Sequence, residues 1–457
     1  MCPSLALASP LDRPPSARAR GATRPGTPFS TSGISSTVSA ASPRRIVLAS
    51  LVGTAVEFYD FYIYATAASL VFGRLFFPSA SSSAELLSAY ASFGVAFVAR
   101  PLGASVFGHF GDRVGRKSTL VASLLLMGGS TVAIALLPTY QSAGWLAPLL
   151  LCLLRFGQGF GLGGEWGGAA LLAVENAPPG YQARFGMFPQ LGAPVGFLAS
   201  NGIFLVLGLA LTPEQFLSWG WRLPFAASVV LVGVGLWVRL KIAETPAFAR
   251  AMSEAPPARV PLAEVVKTHP RRLFAGIFAV VACYAIFYLC TAFALGYATT
   301  TLGHRRETVL GVQLVAILFM AAGIVLAGYL SDRFDPRRVL MAGCLLTVLA
   351  GFLLPAALGG SLFSFGAFLS LALVLMGLVY GPLGAWLPGM FPARVRYTGA
   401  SVAFNLGGIL GGALAPMIAQ ALANRGGLFP VGLYLSGAAL ISFVALWAAP
   451  AAGRGTA

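Results

Sequence analysis

Charged and polar residues interrupt a glycine-rich apolar stretch at positions 155–168, which reads RFGQGFGLGGEWGG. Arg155, Gln158 and Glu165 recur there at spacings that place them on one face of a helix. A guanidinium is well matched to a carboxylate, and a positioned carboxyl group can take up and release a proton. These residue types suit anion binding or proton exchange, and they equally suit an ion pair that only clips helices together.

Further ionisable side chains lie in two other apolar stretches. Glu57 and Asp60 are one helical turn apart in VEFYDFYIYATAA, and Tyr64 follows one turn later on the same face. Arg100 lies in the next apolar stretch along the chain. An acid on which burial and a neighbouring arginine act in opposite directions is suited to proton exchange.

Composition shows which environment surrounds these residues. Of the 457 residues, 57% are hydrophobic and 10% are charged, and the mean hydropathy is +0.81, outside the range of soluble globular proteins. Apolar runs of about 20 residues or more recur, long enough to cross a bilayer as helices. We therefore predict an all-α membrane protein with twelve transmembrane helices. The predicted spans are 46–73, 85–107, 119–138, 146–173, 184–208, 219–240, 272–301, 308–330, 338–357, 363–389, 398–422 and 428–450.

Lysine and arginine cluster on one side of these spans. They precede the first span and follow the second, sixth, eighth and tenth, so the positive-inside rule places those loops and both termini in the cytoplasm. Membrane loops thereby explain the net charge of +16, and we expect no nucleic-acid partner. A charge inside a bilayer is costly unless it faces the bundle interior, so the intramembrane residues above are candidates for function.

The chain is predicted to have five regions. These are a disordered basic tail at 1–43, a six-helix half at 44–241, a cytoplasmic linker at 242–271, a second six-helix half at 272–450 and a short tail at 451–457. The first tail is poor in acids and rich in Pro, Ser, Ala and Arg. A mis-assigned start codon and an organelle transit peptide are the alternatives for it.

An internal repeat supports the division into halves. Residues 108–117 read GHFGDRVGRK and residues 328–338 read GYLSDRFDPRR, each directly after an even-numbered span. Asp112 matches Asp332 at an offset of 220 positions (332 minus 112). Asp335 stands where the first copy has a glycine, so the gating role of the second loop is the less secure of the two.

Several of these segments resemble known signatures. G-x-x-x-D-R-x-G-R-K after the second span, and R-x-x-Q-G-x-G beginning at Arg155, resemble those of the major facilitator superfamily. VEFYDFYIYATAA, GLGGEWGGAALLAVENAP, WGWRLPF, ETPAF and FPARVRYTGAS resemble its metabolite:proton symporter family, which contains shikimate, α-ketoglutarate, citrate and proline/betaine carriers. The resemblance extends over nearly the whole chain from residue 44. It implies two halves that rock about a central site and expose it to each side in turn.

The resemblance also implies that the charges of the first half converge beside that site. Glu57 or Asp60 would carry the proton, with Arg155 as its partner. We expect the substrate to be bound by Arg100, Arg155, Gln158, Tyr64, Tyr288 and Asn405, the last two forming part of an uncharged wall from the second half.

Two more groups of residues have predicted roles in gating and packing. Asp112, close to a helix end, could accept hydrogen bonds from the N-terminus of a neighbouring helix and pair with arginines, and such contacts would hold the halves together on the cytoplasmic side. Basic loops that only set topology are the alternative. The expected gating residues are Gly108, Asp112, Arg113, Gly115, Arg116, Asp332 and Arg333. The residues expected to let helices approach closely are Gly157, Gly161, Gly163 and Gly167.

We predict a secondary active transporter rather than an enzyme. It would move a small organic acid, a mono-, di- or tricarboxylate or a shikimate-like metabolite, together with protons by alternating access. We expect a monomer in the bacterial inner membrane that uses the proton as coupling ion and needs no other cofactor and no metal. The sequence contains no GxxxxGK[ST] loop of the kind an ATP-driven pump requires. Proton-coupled uptake of a zwitterionic osmolyte such as proline or betaine is the alternative, followed by a non-transporting sensor of the same fold.

Overall fold

Helices form nearly all of the structure, a computed structural model that describes residues 43–79, 81–114, 116–241, 261–392 and 395–450. Within these residues we number twelve helical segments. Segments α1 to α6 are 43–76, Ser82–Val114, Arg116–Ala135, Leu146–Glu175, Gln182–Ala210 and 213–241, and α7 to α12 are Pro270–Thr300, Arg306–Phe334, Pro336–Leu358, Leu362–Gly389, Arg396–Gly426 and Leu428–Ala448. Two short helices, Tyr140–Ala143 and Pro261–Thr268, lie between numbered segments.

Each predicted span coincides with one of these segments, and the prediction of an all-helical membrane protein is confirmed. Among the described residues, nine segments are long and apolar enough to cross a membrane, and α6, which bends by 45° between 220 and 222, makes a tenth. The remaining two are α1, which carries Glu57 and Asp60, and α3, whose apolar part is the shorter Val121–Ala135. The count of twelve spans and the cytoplasmic position of the termini stay predictions.

Glycine and proline interrupt several segments. α4 breaks at 163–164, and α10 breaks at 381–382, where a proline lacks the N–H that would continue the helix. π-helical turns widen α1 at Ala68–Phe72 and α7 at Leu289–Phe293, and two more lie in α6 and α11. Such interruptions change which backbone carbonyls are bonded within the helix, and they often mark functional regions.

The packing of the segments repeats with an offset of six. In the first half α1 packs against α5, α2 against α4 and α3 against α6, while in the second half α7 packs against α11, α8 against α10 and α9 against α12. The π-helical turns of α1 and α7 begin at positions 68 and 289, which agrees within one residue with the 220-residue offset of the repeated loop. The halves meet where α5 packs against α8 and α2 against α11. The packing of α1 to α6 is thus repeated in α7 to α12, and the predicted bounds of the two halves stay predictions.

Two predicted region boundaries shift by a few residues. α1 begins at Pro43, inside the predicted tail, and α7 begins at Pro270, inside the predicted linker. Proline is favoured at the first position of a helix because its missing N–H would have no partner there. Residues 1–42 of the predicted first tail, residues 242–260 of the predicted linker and the whole predicted tail 451–457 lie outside the described residues.

Candidate functional site

A cavity of about 580 Å³, part of it open to solvent, lies between the two halves. Residues of both halves line it, so its shape depends on how the halves pack. The first half contributes Glu57, Phe58, Tyr62, Arg100, Leu162 and Trp166, and the second half contributes Cys283, Tyr284, Phe287, Tyr288, Met376, Tyr380, Phe404 and Asn405. The lining is thus mostly aromatic, with the carboxyl group of Glu57 and the guanidinium of Arg100. Such a lining is typical of small-molecule binding sites.

Arg100 provides the positive charge of this cavity. Its side chain is buried, and its Cζ lies 4.2 Å from the centre of the Phe61 ring and 4.4 Å from that of Phe97. Its Nε has no hydrogen-bond partner among the described residues. A buried donor without a partner is energetically costly. This guanidinium is therefore suited to donate a hydrogen bond to an acceptor atom of a ligand.

Two aromatic pairs form walls of the cavity. The Trp166 and Phe404 rings, one from each half, stack with centroids 3.8 Å apart and planes 3° apart, and Tyr284 stacks parallel to Tyr288 at 6.4 Å. Trp166 Nε1 donates to Gln190 Oε1 at 2.9 Å. The amide of Gln190 donates in turn to the carbonyl of Tyr380 at 2.8 Å, so this wall is bonded across both halves.

The break in α4 is bonded to α11 of the other half. Asn405 Nδ2 donates to the Gly163 carbonyl at 2.8 Å, and the Tyr397 hydroxyl donates to the Gly164 carbonyl. These two carbonyls accept hydrogen bonds from side chains of α11 at the point where the helix is interrupted. Asn405 therefore lies at the cavity as predicted, and its amide also fixes the α4 break.

Arg155 and Gln158 lie next to the cavity but do not line it. Arg155 is fully buried, its Nη1 donates to Gln158 Oε1 at 2.9 Å, and Gln158 Nε2 donates to Thr131 Oγ1 at 2.7 Å. Tyr64, over whose ring the Arg155 Cζ lies at 4.0 Å, is hydrogen-bonded to Ser92 at 2.8 Å. The structure thus groups these predicted substrate residues in an enclosed network behind the cavity wall.

The two acids of α1 face different surroundings. Glu57 lines the cavity, whereas Asp60 accepts a 2.6 Å hydrogen bond from Ser228 of α6 and lies close to Thr131 and Glu165. Three residues along a helix rotate the side-chain direction by about 300°, so the two carboxyls diverge by about 60°. Asp60 Oδ2 has no hydrogen-bond partner among the described residues.

A second, smaller cavity of about 220 Å³ adjoins the first at Tyr62. Thr66 donates to Asn201 Oδ1 at 2.6 Å, and Asn201 Nδ2 lies 3.4 Å from Gln313 Oε1 of the second half. Gln313 Nε2 donates to the carbonyls of Cys290 and Thr291 at 3.0 and 2.8 Å, in the π-helical turn of α7. Amides and hydroxyls, rather than charges, therefore join the halves here.

The same turn of α7 receives two more bonds from the first half. Ser69 of α1 and Tyr90 of α2 both donate to the Ala292 carbonyl, at 3.2 and 2.7 Å. We call this contact the neutral closure. It lies near the C-terminal end of α1.

An ionic contact joins the halves at the opposite end. Asp332 of α8 accepts from the backbone N–H groups of Ala183 and Arg184 at 2.9 and 3.3 Å, at the start of α5, and pairs with the Arg184 guanidinium at 3.0 Å. We call this contact the ionic closure. We predicted such an interaction with a helix N-terminus for Asp112, and among the described residues it is found at Asp332, its counterpart in the repeat.

Among the other predicted gating residues, Arg333 is the one whose side-chain surroundings the structure describes. Arg333 is exposed beside Phe334. Gly115 lies outside the described residues, and so do the side-chain surroundings of the predicted Gly108, Asp112, Arg113 and Arg116.

The predicted packing glycines contact three different helices. A Cβ on Gly157 or Gly161 would collide with α3, one on Gly163 with the α2 backbone at Arg100, and one on Gly167 with Ser401 of α11. Gly157 and Gly161 share a partner helix, as their spacing of four residues implies, whereas Gly163 and Gly167, which the end of the break at 164 separates, face different helices. Gly159, which we did not predict, faces the backbone of α2 at Ala96.

The sequence analysis missed several residues of the site. Trp166, Gln190 and Phe61 are aromatic or amide side chains in apolar helices, where packing is the commoner role, and Arg184 lies at the start of α5, outside the repeat that we used. No three His, Cys, Asp or Glu side chains in the part of the chain that the structure describes are close enough to hold a metal ion.

Sequence and fold are both similar to those of known transport proteins. A family model described as "Sugar (and other) transporter" matches residues 46–272. The chain is 50% identical over 411 residues to the inner membrane metabolite transport protein YhjE of Escherichia coli (strain K12), which covers 89% of this chain and 93% of that protein. It is 40% identical over 413 residues to the shikimate transporter of the same organism, over 89% of this chain and 94% of that protein. The fold is similar to that of the E. coli xylose transporter XylE in a partially occluded inward open conformation, with a TM-score of 0.71, 15% identity, and coverage of 89% of this chain and 98% of that one.

Proposed function

The chain belongs to the sugar and other transporter family of the major facilitator superfamily, and on that premise we propose that it imports a small organic acid with protons across the bacterial inner membrane. Its relatives are transporters, so it is a carrier and not an enzyme. Because the cavity is formed by one chain, we propose that the monomer is the transporting unit.

Arg100 in the aromatic cavity is the observation that carries the proposal of an acid substrate. The guanidinium is buried and has an unpartnered donor in a mostly aromatic site, where a carboxylate would bind more strongly than at a surface. The apolar walls suit the carbon skeleton of the substrate. Asn405 and Tyr288 supply polar atoms from the second half.

Asp60 is our choice for the proton-carrying acid. It is buried away from the cavity, and one carboxyl oxygen has no hydrogen-bond partner among the described residues, which leaves a position for a proton. The network of Arg155, Gln158 and Thr131 reaches its vicinity from the wall of the cavity. Proton and substrate would thus bind at separate but adjacent places, as coupled transport requires.

The two closures suggest how the cavity could open to each side of the membrane in turn. With the neutral and the ionic closure both formed, the cavity is held between the halves, and breaking one closure at a time exposes it to one side. The family fold moves in this way, by rocking one half against the other around a fixed site.

Uptake into proteoliposomes tests the proposal. Labelled shikimate, α-ketoglutarate, citrate and betaine are offered with and without an inward proton gradient. We expect one of the acids to accumulate only with the gradient, and Arg100→Ala to abolish its binding. Asp60→Asn should keep gradient-independent exchange but lose accumulation, with Glu57→Gln as the matched variant that removes the other α1 acid. If betaine alone accumulates, the osmolyte alternative replaces this proposal; if nothing responds to the gradient, proton coupling is wrong.

A further inference from the structure

Phe61 of α1 touches both arginines of the first half, and we propose that its ring couples substrate binding to the proton network. The Cζ atoms of Arg100 and Arg155 lie 4.2 and 4.3 Å from the centre of this one ring. The inference rests on the proposed function, because it assigns Phe61 as the positioning residue through which the two sites communicate.

The surroundings of Phe61 make these contacts strong. Its side chain is 3% exposed, and its ring packs against Phe93, Phe97 and Tyr288 at centroid distances of 5.3, 5.2 and 6.4 Å. Water is therefore kept from the ring. A desolvated guanidinium is attracted by the negative face of such a ring, while two guanidiniums in a low-dielectric region repel each other. The ring holds two like charges near each other that would otherwise separate.

The two arginines belong to different sites, and the ring lies at the boundary. Arg100 lines the cavity, whereas neither Arg155 nor Phe61 is among its walls. Arg155 donates to Gln158, whose amide reaches Thr131 beside Asp60. A substrate carboxylate would thus bind Arg100 in the cavity. The Phe61 ring would transmit this binding to Arg155 and the network beside Asp60.

The direction of the coupling follows from the charges. An anion bound to Arg100 cancels one of the two positive charges, which makes the arrival of a proton in the same region more favourable. Binding linkage is reciprocal, so a bound proton favours the substrate by the same factor. This is the cooperativity that symport needs, and it depends on Arg100 and Arg155 being held at short range.

Two neighbouring rings provide matched controls. Phe97 contacts the Arg100 guanidinium at 4.4 Å, and Phe93 contacts that of Arg155 at 5.0 Å. Among the described aromatic rings, Phe61 is the one that contacts both guanidinium groups. Phe61→Leu removes the shared ring, whereas Phe97→Leu removes a ring from Arg100 alone.

The experiment measures labelled acid and internal pH together in proteoliposomes, using the shikimate, α-ketoglutarate and citrate probes. For Phe97→Leu we expect a KM raised by up to about thirtyfold, the equivalent of one desolvated cation–π contact, with protons and acid still moving together. For Phe61→Leu we expect exchange of the acid to continue while accumulation and the accompanying acidification are lost. Phe61→Tyr, which keeps the ring, should accumulate the acid as the unmodified protein does.

Fluorinated phenylalanines at position 61 keep the test decisive if Phe61→Leu does not fold. Successive fluorines weaken the negative face of the ring with little change in shape, so coupling should fall stepwise with their number. Unchanged coupling in trifluorophenylalanine or leucine variants would overturn the role of Phe61. If the unmodified protein accumulates none of the three acids, the proposed function itself fails and this inference falls with it.

Discussion

Replacing Asp332 by alanine is expected to open the ionic closure. The carboxylate accepts two backbone N–H bonds and one arginine contact, and only 6% of its side chain is exposed. Hydrogen bonds to a charged group contribute about 1.5–3 kcal/mol each, and water recovers part of this once the end opens. A net loss of about 3 kcal/mol is a shift of roughly a hundredfold towards the state open at this end.

Arg184→Ala should have a much smaller effect although it removes the visible ion pair. The Arg184 side chain is 34% exposed, and a pair screened by water contributes about 0.5 kcal/mol, which is a shift of roughly two- to threefold. Arg333→Ala removes a neighbouring exposed charge that takes no part in the contact, and it should leave the equilibrium unchanged.

Distances between spin labels on the α4–α5 loop and on α9 would measure these populations. Labels are placed in a cysteine-free background, and the fraction with the longer distance is compared among the three variants. Equal shifts for Asp332→Ala and Arg184→Ala would refute the reasoning, because the closure would then depend on the ion pair and not on the backbone of the α5 N-terminus.

Three more predictions follow from the described contacts. Asn405→Ala, which removes the bond to the α4 break and a polar wall atom, should raise the KM of the transported acid about tenfold, whereas an unchanged KM would remove the second half from substrate recognition. Gly159→Ala should lower the melting temperature strongly because its Cβ would meet the backbone of Ala96, while Gly202→Ala, with open space around it, should not; comparable melting curves would contradict the packing. Asp335 has a φ of 87°, a backbone conformation that glycine adopts without strain, so Asp335→Gly should leave the free energy of unfolding unchanged or raise it by up to about 1 kcal/mol. Asp335→Ala should lower the free energy of unfolding, because alanine keeps the strain and cannot accept the hydrogen bond from the N–H of Arg337.

The sequence predicted the helical class well, because long apolar runs have few alternative explanations, and it marked the charges inside those runs as candidates for function. It placed Arg100, Tyr288 and Asn405 at one cavity only through the implied fold. It did not separate Glu57 from Asp60, since a spacing of three residues is compatible with one face or with two adjacent ones.

What the sequence left open depends on how segments far apart in the chain pack. Trp166 and Phe404 are 238 positions apart and stack face to face, and no local pattern marks either ring as part of a wall. Arg184 and Asp332 meet only because α5 packs against α8. Asp335 was noticed as a departure from the repeat, and the structure shows it adopting a backbone conformation that suits the glycine it replaces.

The different chemistry of the two closures has a consequence for the medium in which the protein works. Dissolved salt screens charges over about 8–10 Å at moderate ionic strength, but it acts weakly on hydroxyl-to-carbonyl bonds. The contact of Asp332 with Arg184 therefore responds to the salt around it, whereas the Ala292 carbonyl with its two hydroxyl donors does not. If the charge bias of the loops places the former in the cytoplasm, the ionic strength there shifts the ionic closure by no more than the roughly two- to threefold of that pair and leaves the neutral closure unchanged.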